Sequence, residues 1–209
     1  MLLQLALDGN LQQSLAVLQA AGPHVDIVEI GTPLVFREGM HIVSRMRELA
    51  PDSAFLADFK IMDAGDEEAS IAFAAGCDMV TVMGIAHDET IKGAVDAALR
   101  FSREIVIDLM GVINPLARAR EVLALGAKTL CVHTAYDVQH AGHSPLDTLA
   151  DVRAALPEAR VAVAGGISLK TIDSVVPLKP DIVIVGGAIA RAGDPAAVAG
   201  ALRSKIRVG

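Results

Sequence analysis

The chain has 209 residues, which suits one α/β domain and lies near the lower end for a one-domain (β/α)8 barrel. Apolar residues make up 53% of it but aromatics only 3%, with no Trp, so its core must be built from Val, Ile, Leu and Ala, as in parallel strands covered by helices. A net charge of -7 without a basic run argues against nucleic acid or an anionic membrane as partner, yet leaves a small phosphate ligand open, because backbone N–H groups can bind one.

Eight short apolar runs recur along the chain: 2–7, 27–30, 54–58, 79–82, 104–109, 129–133, 160–164 and 181–185. Each is rich in β-branched residues or Leu. Between them lie stretches of helical periodicity, among them Leu11 to Ala20, Met40 to Ala50, Asp88 to Arg100, Leu116 to Leu125 and Pro195 to Lys205. Strands alternating with helices at this spacing imply parallel strands and crossover helices. Eight such units fit a closed (β/α)8 TIM barrel over residues 1–209, with an open doubly wound sheet as the alternative. No linker or low-complexity segment divides the chain. Cys77 and Cys131 sit in apolar surroundings without metal-site spacing and read as buried thiols. The first residues lack the pattern of a signal peptide, and no apolar run has the length of a membrane span, so a cytoplasmic location is expected.

Several runs close on a polar residue: Asp8, Glu29, Asp58, Asp108 and His133. In a barrel of this kind, catalytic groups come from the C-terminal ends of the strands. A lone acid after a strand is commonly a helix cap or turn former. Five strand ends of this type are harder to explain in that way. The sharpest cluster is Asp58-Phe59-Lys60-Ile61-Met62-Asp63. Side chains alternate along a strand, so Asp58 and Lys60 share a side with Ala54 and Leu56, which fits a barrel lumen. Asp63 falls in the loop beyond. By the same parity Gln4, Ala6 and Asp8 share one face, Glu29 goes with Ile27, and His133 with Cys131. Glu29 and Asp58, from neighbouring strands, could flank one hard cation such as Mg²⁺. His133 stands where a proton could be exchanged near neutral pH, whereas His24, His41, His87, His140 and His143 read as surface or loop residues. The last two strands end in Gly165-Gly166 and Gly186-Gly187, where the backbone can come close to a phosphate.

These residues resemble the 3-hexulose-6-phosphate synthase family, within the orotidine-5'-phosphate decarboxylase group of barrels. The likeness runs through LQLALD (3–8), VDIVEIGTPL (25–34), LADFKIMDAG (56–65), AGCDMVTVMG (75–84), CVHTAYD (131–137), VAGGI (163–167) and PDIVIVGGAI (180–189). The Asp-x-Lys-x-x-Asp of residues 58–63 is its most specific part. The resemblance implies reversible condensation of formaldehyde with D-ribulose 5-phosphate to D-arabino-hex-3-ulose 6-phosphate, through an enediolate stabilised by Mg²⁺ or Mn²⁺. It implies Glu29 and Asp58 as metal ligands and Lys60 as the partner of the enediolate oxygen. Asp8 would orient Lys60 or a substrate hydroxyl, and His133 would transfer a proton. Asp108 would contact substrate hydroxyls, and Gly166, Gly186 and Gly187 would hold the phosphate. Asp63 would reach into the site of a second subunit, which implies a homodimer with shared active sites.

The sister family, 3-keto-L-gulonate-6-phosphate decarboxylase, shares the Asp-x-Lys-x-x-Asp pattern and stands as the alternative. It typically carries arginines at the positions of Tyr136 and Gly187, and both differences favour the synthase. Ala135 departs from the glycine more usual in the synthase. A barrel that binds a sugar phosphate without turnover is a third reading, against which the charged cluster of Asp58, Lys60, Asp63 and His133 stands.

Overall fold

A computed structural model of the chain describes residues 1–139 and 141–208. Its strands are β1 (Leu2–Leu7), β2 (Ile27–Ile30), β3 (Ala54–Ile61), β4 (Met79–Met83), β5 (Glu104–Asp108), β6 (Thr129–His133), β7 (Arg160–Ala164) and β8 (Ile182–Val185). All pair in parallel, each with its neighbour in sequence, and β8 closes on β1. The expected (β/α)8 TIM barrel is therefore the fold, and the open sheet is set aside. The helices that return the chain are α1 (Leu11–Ala21), α2 (Thr32–Glu38), α3 (Ile42–Leu49), α4 (Gly65–Ala74), α5 (Asp88–Phe101) and α6 (Pro115–Ala124), then α7 (Tyr136–Gln139), α8 (Leu146–Ala155), α9 (Ile172–Val175), α10 (Gly187–Ala190) and α11 (Pro195–Val208). No helix is long and apolar enough to cross a membrane among the described residues.

Strand alternation splits the core into two layers. Outward side chains such as Leu3, Leu5, Val28, Phe55 and Val80 meet the helices in one large cluster. Inward ones, Ile27, Leu56, Met79, Val106, Cys131, Ala162 and Ile182, fill the lumen, with Ala54 against them. This packed plug separates the polar groups of the upper rim from Glu104, Thr129 and Arg160 at the lower ends of β5, β6 and β7. Cys77 and Cys131 are both buried and free, as expected.

The lower rim is tied by a repeated device. The sequence x-Asp-Ile/Met-Val opens β2, β4 and β8 with Asp26, Asp78 and Asp181. Each aspartate donates its own N–H to a carbonyl of the preceding strand, Leu3, Phe55 and Val161 respectively, at 2.7–2.9 Å. Its carboxylate accepts the N–H of that same residue at 2.8–2.9 Å. The remaining carboxylate capacity is taken by arginines: Arg203 on Asp26, Arg47 and Arg103 on Asp78, and Arg153 on Asp181. Arg47 also lies 4.6 Å from the centroid of the Phe55 ring. The starts of β2, β4 and β8 are thus tied by side chains, and the opposite ends carry the polar cluster.

Candidate active site

Five polar strand ends meet above the lumen plug. Glu29 is buried at the end of β2 and accepts a 2.5 Å hydrogen bond from Nε2 of Gln4 on β1. Asp58 is buried on β3 and held on three sides. Thr32 donates to its Oδ2 at 2.8 Å, Thr81 donates to its Oδ1 at 2.7 Å, and the Lys60 ammonium makes a close ion pair with Oδ2. Asp108 is buried at the end of β5; its Oδ1 accepts from Met110 N at 2.9 Å, and its Oδ2 lies 2.8 Å from His133 Nδ1.

The strand is bent to bring Lys60 to Asp58. The β3–β4 register shifts between Ala57 and Ile61, and Lys60 adopts a positive φ of 51°. A non-glycine residue in that region costs on the order of 1–3 kcal/mol. What holds it is Thr81, whose Oγ1 accepts the Lys60 N–H at 2.9 Å while donating to Asp58. Simple alternation places Lys60 on the correct side; the bulge sets its position along the strand.

The charges of the site act on one another. Burial and the neighbouring Asp58 charge push the Glu29 carboxyl up to about 8. Burial by itself would raise Asp58 too, but the charge and hydrogen bond of Lys60, helped by the hydroxyls of Thr81 and Thr32, hold it below its ordinary value. Lys60 is the mirror case: burial opposes its charge, and Asp58, then Asp108 and Glu29, raise it above its ordinary value. His133 is raised as well, since its hydrogen bond to Asp108 and that carboxylate's charge outweigh the opposing effect of burial. Asp8 is open to solvent at the rim, while its carboxyl rests against protein; desolvation first, then Asp58, raises it. The arrangement keeps Asp58 ionised, Lys60 and His133 inclined to charge, and Glu29 inclined to keep a proton.

Two carboxylates of which one holds its proton against a neighbouring anion suit a divalent cation, which would displace that proton and balance both charges. No group of three His, Cys, Asp or Glu side chains with metal-site geometry occurs among the described residues. The Glu29 and Asp58 carboxylates suit Mg²⁺, which usually takes one or two carboxylates and completes its shell with water and substrate oxygens.

The glycines of β7 and β8 lie where expected. Gly165 and Gly166 have φ of 107° and 69°, and a Cβ at Gly165 would come within 2.9 Å of Thr134 Cβ. Gly187 opens α10. Asp63 stands apart. It is exposed and accepts the N–H of Ala64 at 2.8 Å, and among the described residues it makes no hydrogen bond or ion pair with the groups above. His41, His87 and His143 are exposed and His24 is half-buried, as read from sequence, while His140 lies outside the described residues. Sequence reasoning missed Thr32, which opens α2, and Thr81, which lies on β4, both of which reach Asp58, and missed the pairing of Gln4 with Glu29. The parity of Gln4 with Asp8 was the one available signal.

A family model described as Orotidine 5'-phosphate decarboxylase / HUMPS family matches residues 1–202, and the chain belongs to that family. Within it, the chain is similar to a 3-hexulose-6-phosphate synthase of Bacillus subtilis (strain 168), 42% identical over 205 residues and 98% of each chain. The crystal structure of 3-hexulose-6-phosphate synthase from Salmonella typhimurium superposes with a TM-score of 0.97 at 40% identity, covering 100% of this chain and 99% of the other. A 3-keto-L-gulonate-6-phosphate decarboxylase from Vibrio cholerae superposes at 0.87 with 32% identity, covering 99% and 97%.

Proposed function

We propose that this protein is a 3-hexulose-6-phosphate synthase that condenses formaldehyde with D-ribulose 5-phosphate. The observation that carries the reading is the Asp58–Lys60–Thr81 network, which fixes an ammonium above a dry lumen beside a second, proton-holding carboxylate, Glu29. Relatives at 40–42% identity bearing the synthase name support it over the decarboxylase.

The reaction needs a proton removed from the carbon next to the ketone, which leaves an enediolate. That carbon then bonds to the formaldehyde carbon, and the formaldehyde oxygen takes up a proton. Lys60 supplies a fixed positive charge for the developing enediolate oxygen, placed in advance so that no solvent must reorganise. His133, held in orientation by Asp108, carries the proton. Asp8 at the rim orients Lys60 or a substrate hydroxyl, and Asp108 contacts substrate hydroxyls. Gly166, Gly186 and Gly187 receive the phosphate through backbone N–H groups. Glu29 and Asp58 would hold Mg²⁺ or Mn²⁺, which would supply Lewis-acid stabilisation of developing negative charge.

The working form in this reading is a homodimer with shared sites. Phe36, Met62, Ile85 and Ile113 follow β2, β3, β4 and β5 in turn, and all four are exposed, Phe36 by 81% and Ile113 completely. Burying side chains of this size stabilises an association by about 1.5–3 kcal/mol each. Asp63 lies next to Met62 and carries no role in its own chain's cluster.

The test is formaldehyde consumption that depends on ribulose 5-phosphate, compared between the wild type and Lys60→Ala. The wild type should consume both substrates in equal amounts, and Lys60→Ala should lose about 10²–10³ in rate. Binding of ribulose 5-phosphate without any consumption of formaldehyde would instead identify a regulatory barrel.

A further inference from the structure

Outside the barrel mouth, a cleft of about 180 Å³ separates the β1–α1 connection from α10. Asp8, Gly9, Gln13 and Ser14 line one wall, and Gly187 and Arg191 the other. Unlike Arg118, Arg153 and Arg203, which are tied to carboxylates, Arg191 makes no ion pair within 4 Å among the described residues. Arg191 is exposed at the end of α10. It folds back over the helix start, so that a Cβ added at Gly187 would lie 2.5 Å from its Cζ and 2.9 Å from its Nη1. Its positive charge is felt at Asp8 across the cleft. The cleft also holds an unused donor. Ser14 Oγ is the one buried side-chain polar atom without a hydrogen-bond partner among the described residues.

We propose that Arg191 is the cationic ligand of the substrate phosphate, reaching it across Gly187, and that residue 187 is glycine so that the guanidinium can take this position. A guanidinium that forms no carboxylate ion pair suits an oxyanion, to which it donates two parallel N–H bonds. A side chain at 187 would occupy the same volume. The site is then built from a glycine and an arginine one helical turn apart, acting as a unit. The inference rests on the sugar-phosphate reading above, but its first test does not.

Inorganic phosphate serves as the probe, with its affinity measured by calorimetry on the wild type and on Arg191→Gln, Arg191→Lys and Gly187→Ala. Arg191→Gln should weaken phosphate roughly 10-fold or more, the usual scale for a charge-assisted pair. Arg191→Lys should recover part of that loss. Gly187→Ala should fold, since only a flexible side-chain end must yield, and should reproduce most of the loss. Adding Arg191→Gln to Gly187→Ala should then cost little more, because the two act through one group. With ribulose 5-phosphate the loss should fall on KM rather than kcat, and the KM for formaldehyde should stay as it was. Wild-type phosphate affinity in Arg191→Gln would overturn the assignment, as would full additivity of the two substitutions. Phosphate binding that depends on Arg191 in a protein inert toward ribulose 5-phosphate would uphold the site and sink the synthase reading instead.

Discussion

At the scale of single residues, the site turns on which carboxylate keeps a proton. Glu29, pushed up to about 8, holds more protons folded than unfolded between its ordinary value of 4.5 and about 8. Without a cation, this group therefore lowers folding stability as pH rises through that window. A bound metal must displace the proton, so binding of Mg²⁺ at pH 7 should release close to one proton, read by calorimetry in buffers of different ionisation enthalpy. Glu29→Gln should abolish the release and weaken Mg²⁺. Metal binding at pH 7 without proton release would show that Glu29 is not a ligand. His133 runs in the same sense. Its raised value means that its pairing with Asp108 stabilises the fold fully below the unfolded value near 6.5, and this contribution fades as pH rises through the folded value. Strand parity makes Asp58, Glu29, Asp108 and His133 legible in the sequence. Thr32 and Thr81 are not, because each acts on Asp58 from another element, α2 and β4, and a hydroxyl carries no sequence signal of its own. Arg191 is hidden for a similar reason, since only the backward fold of its side chain over Gly187 marks it out.

At the scale of elements, the strands are read well because a parallel barrel strand is apolar on both faces and bounded by polar residues. The run 54–58 is the exception. β3 continues to Ile61 through the bulge that positions Lys60, and a bulge has no compositional mark here. The helices are read less completely. The stretch from Met40 to Ala50 proves to be α3, with a separate α2 before it that Pro33 makes look like a turn. The lower-rim aspartates also escape a reading aimed at strand ends, although x-Asp-Ile/Met-Val repeats three times. They allow a clean structural test. Asp78 takes the Phe55 N–H and two arginines, far from the active site. Asp78→Ala leaves that N–H unpaired and should cost about 1–3 kcal/mol in chemical denaturation. The KM for ribulose 5-phosphate should not change. A shift in that KM with unchanged stability would mean that the lower rim does more than tie strands.

At the scale of the whole molecule, the lumen is too full to hold a substrate, so chemistry is confined to the upper rim, where four exposed apolar side chains follow β2 to β5 and Asp63 follows one of them, Met62. If Asp63 serves a second subunit's site, Lys60→Ala and Asp63→Asn should complement each other. A hybrid dimer would contain one site with both defects and one with neither, and co-refolded mixtures should regain a clear fraction of the wild-type rate. Confirmed hybrids as inactive as either parent would return Asp63 to its own chain. The claim on which the rest depends is the choice of reaction at this site. It is tested most directly by kcat/KM on one preparation with Mg²⁺, for ribulose 5-phosphate plus formaldehyde and, separately, for 3-keto-L-gulonate 6-phosphate. The expected result is a value for the aldol condensation far above that for decarboxylation; a larger value for 3-keto-L-gulonate 6-phosphate would contradict the synthase reading.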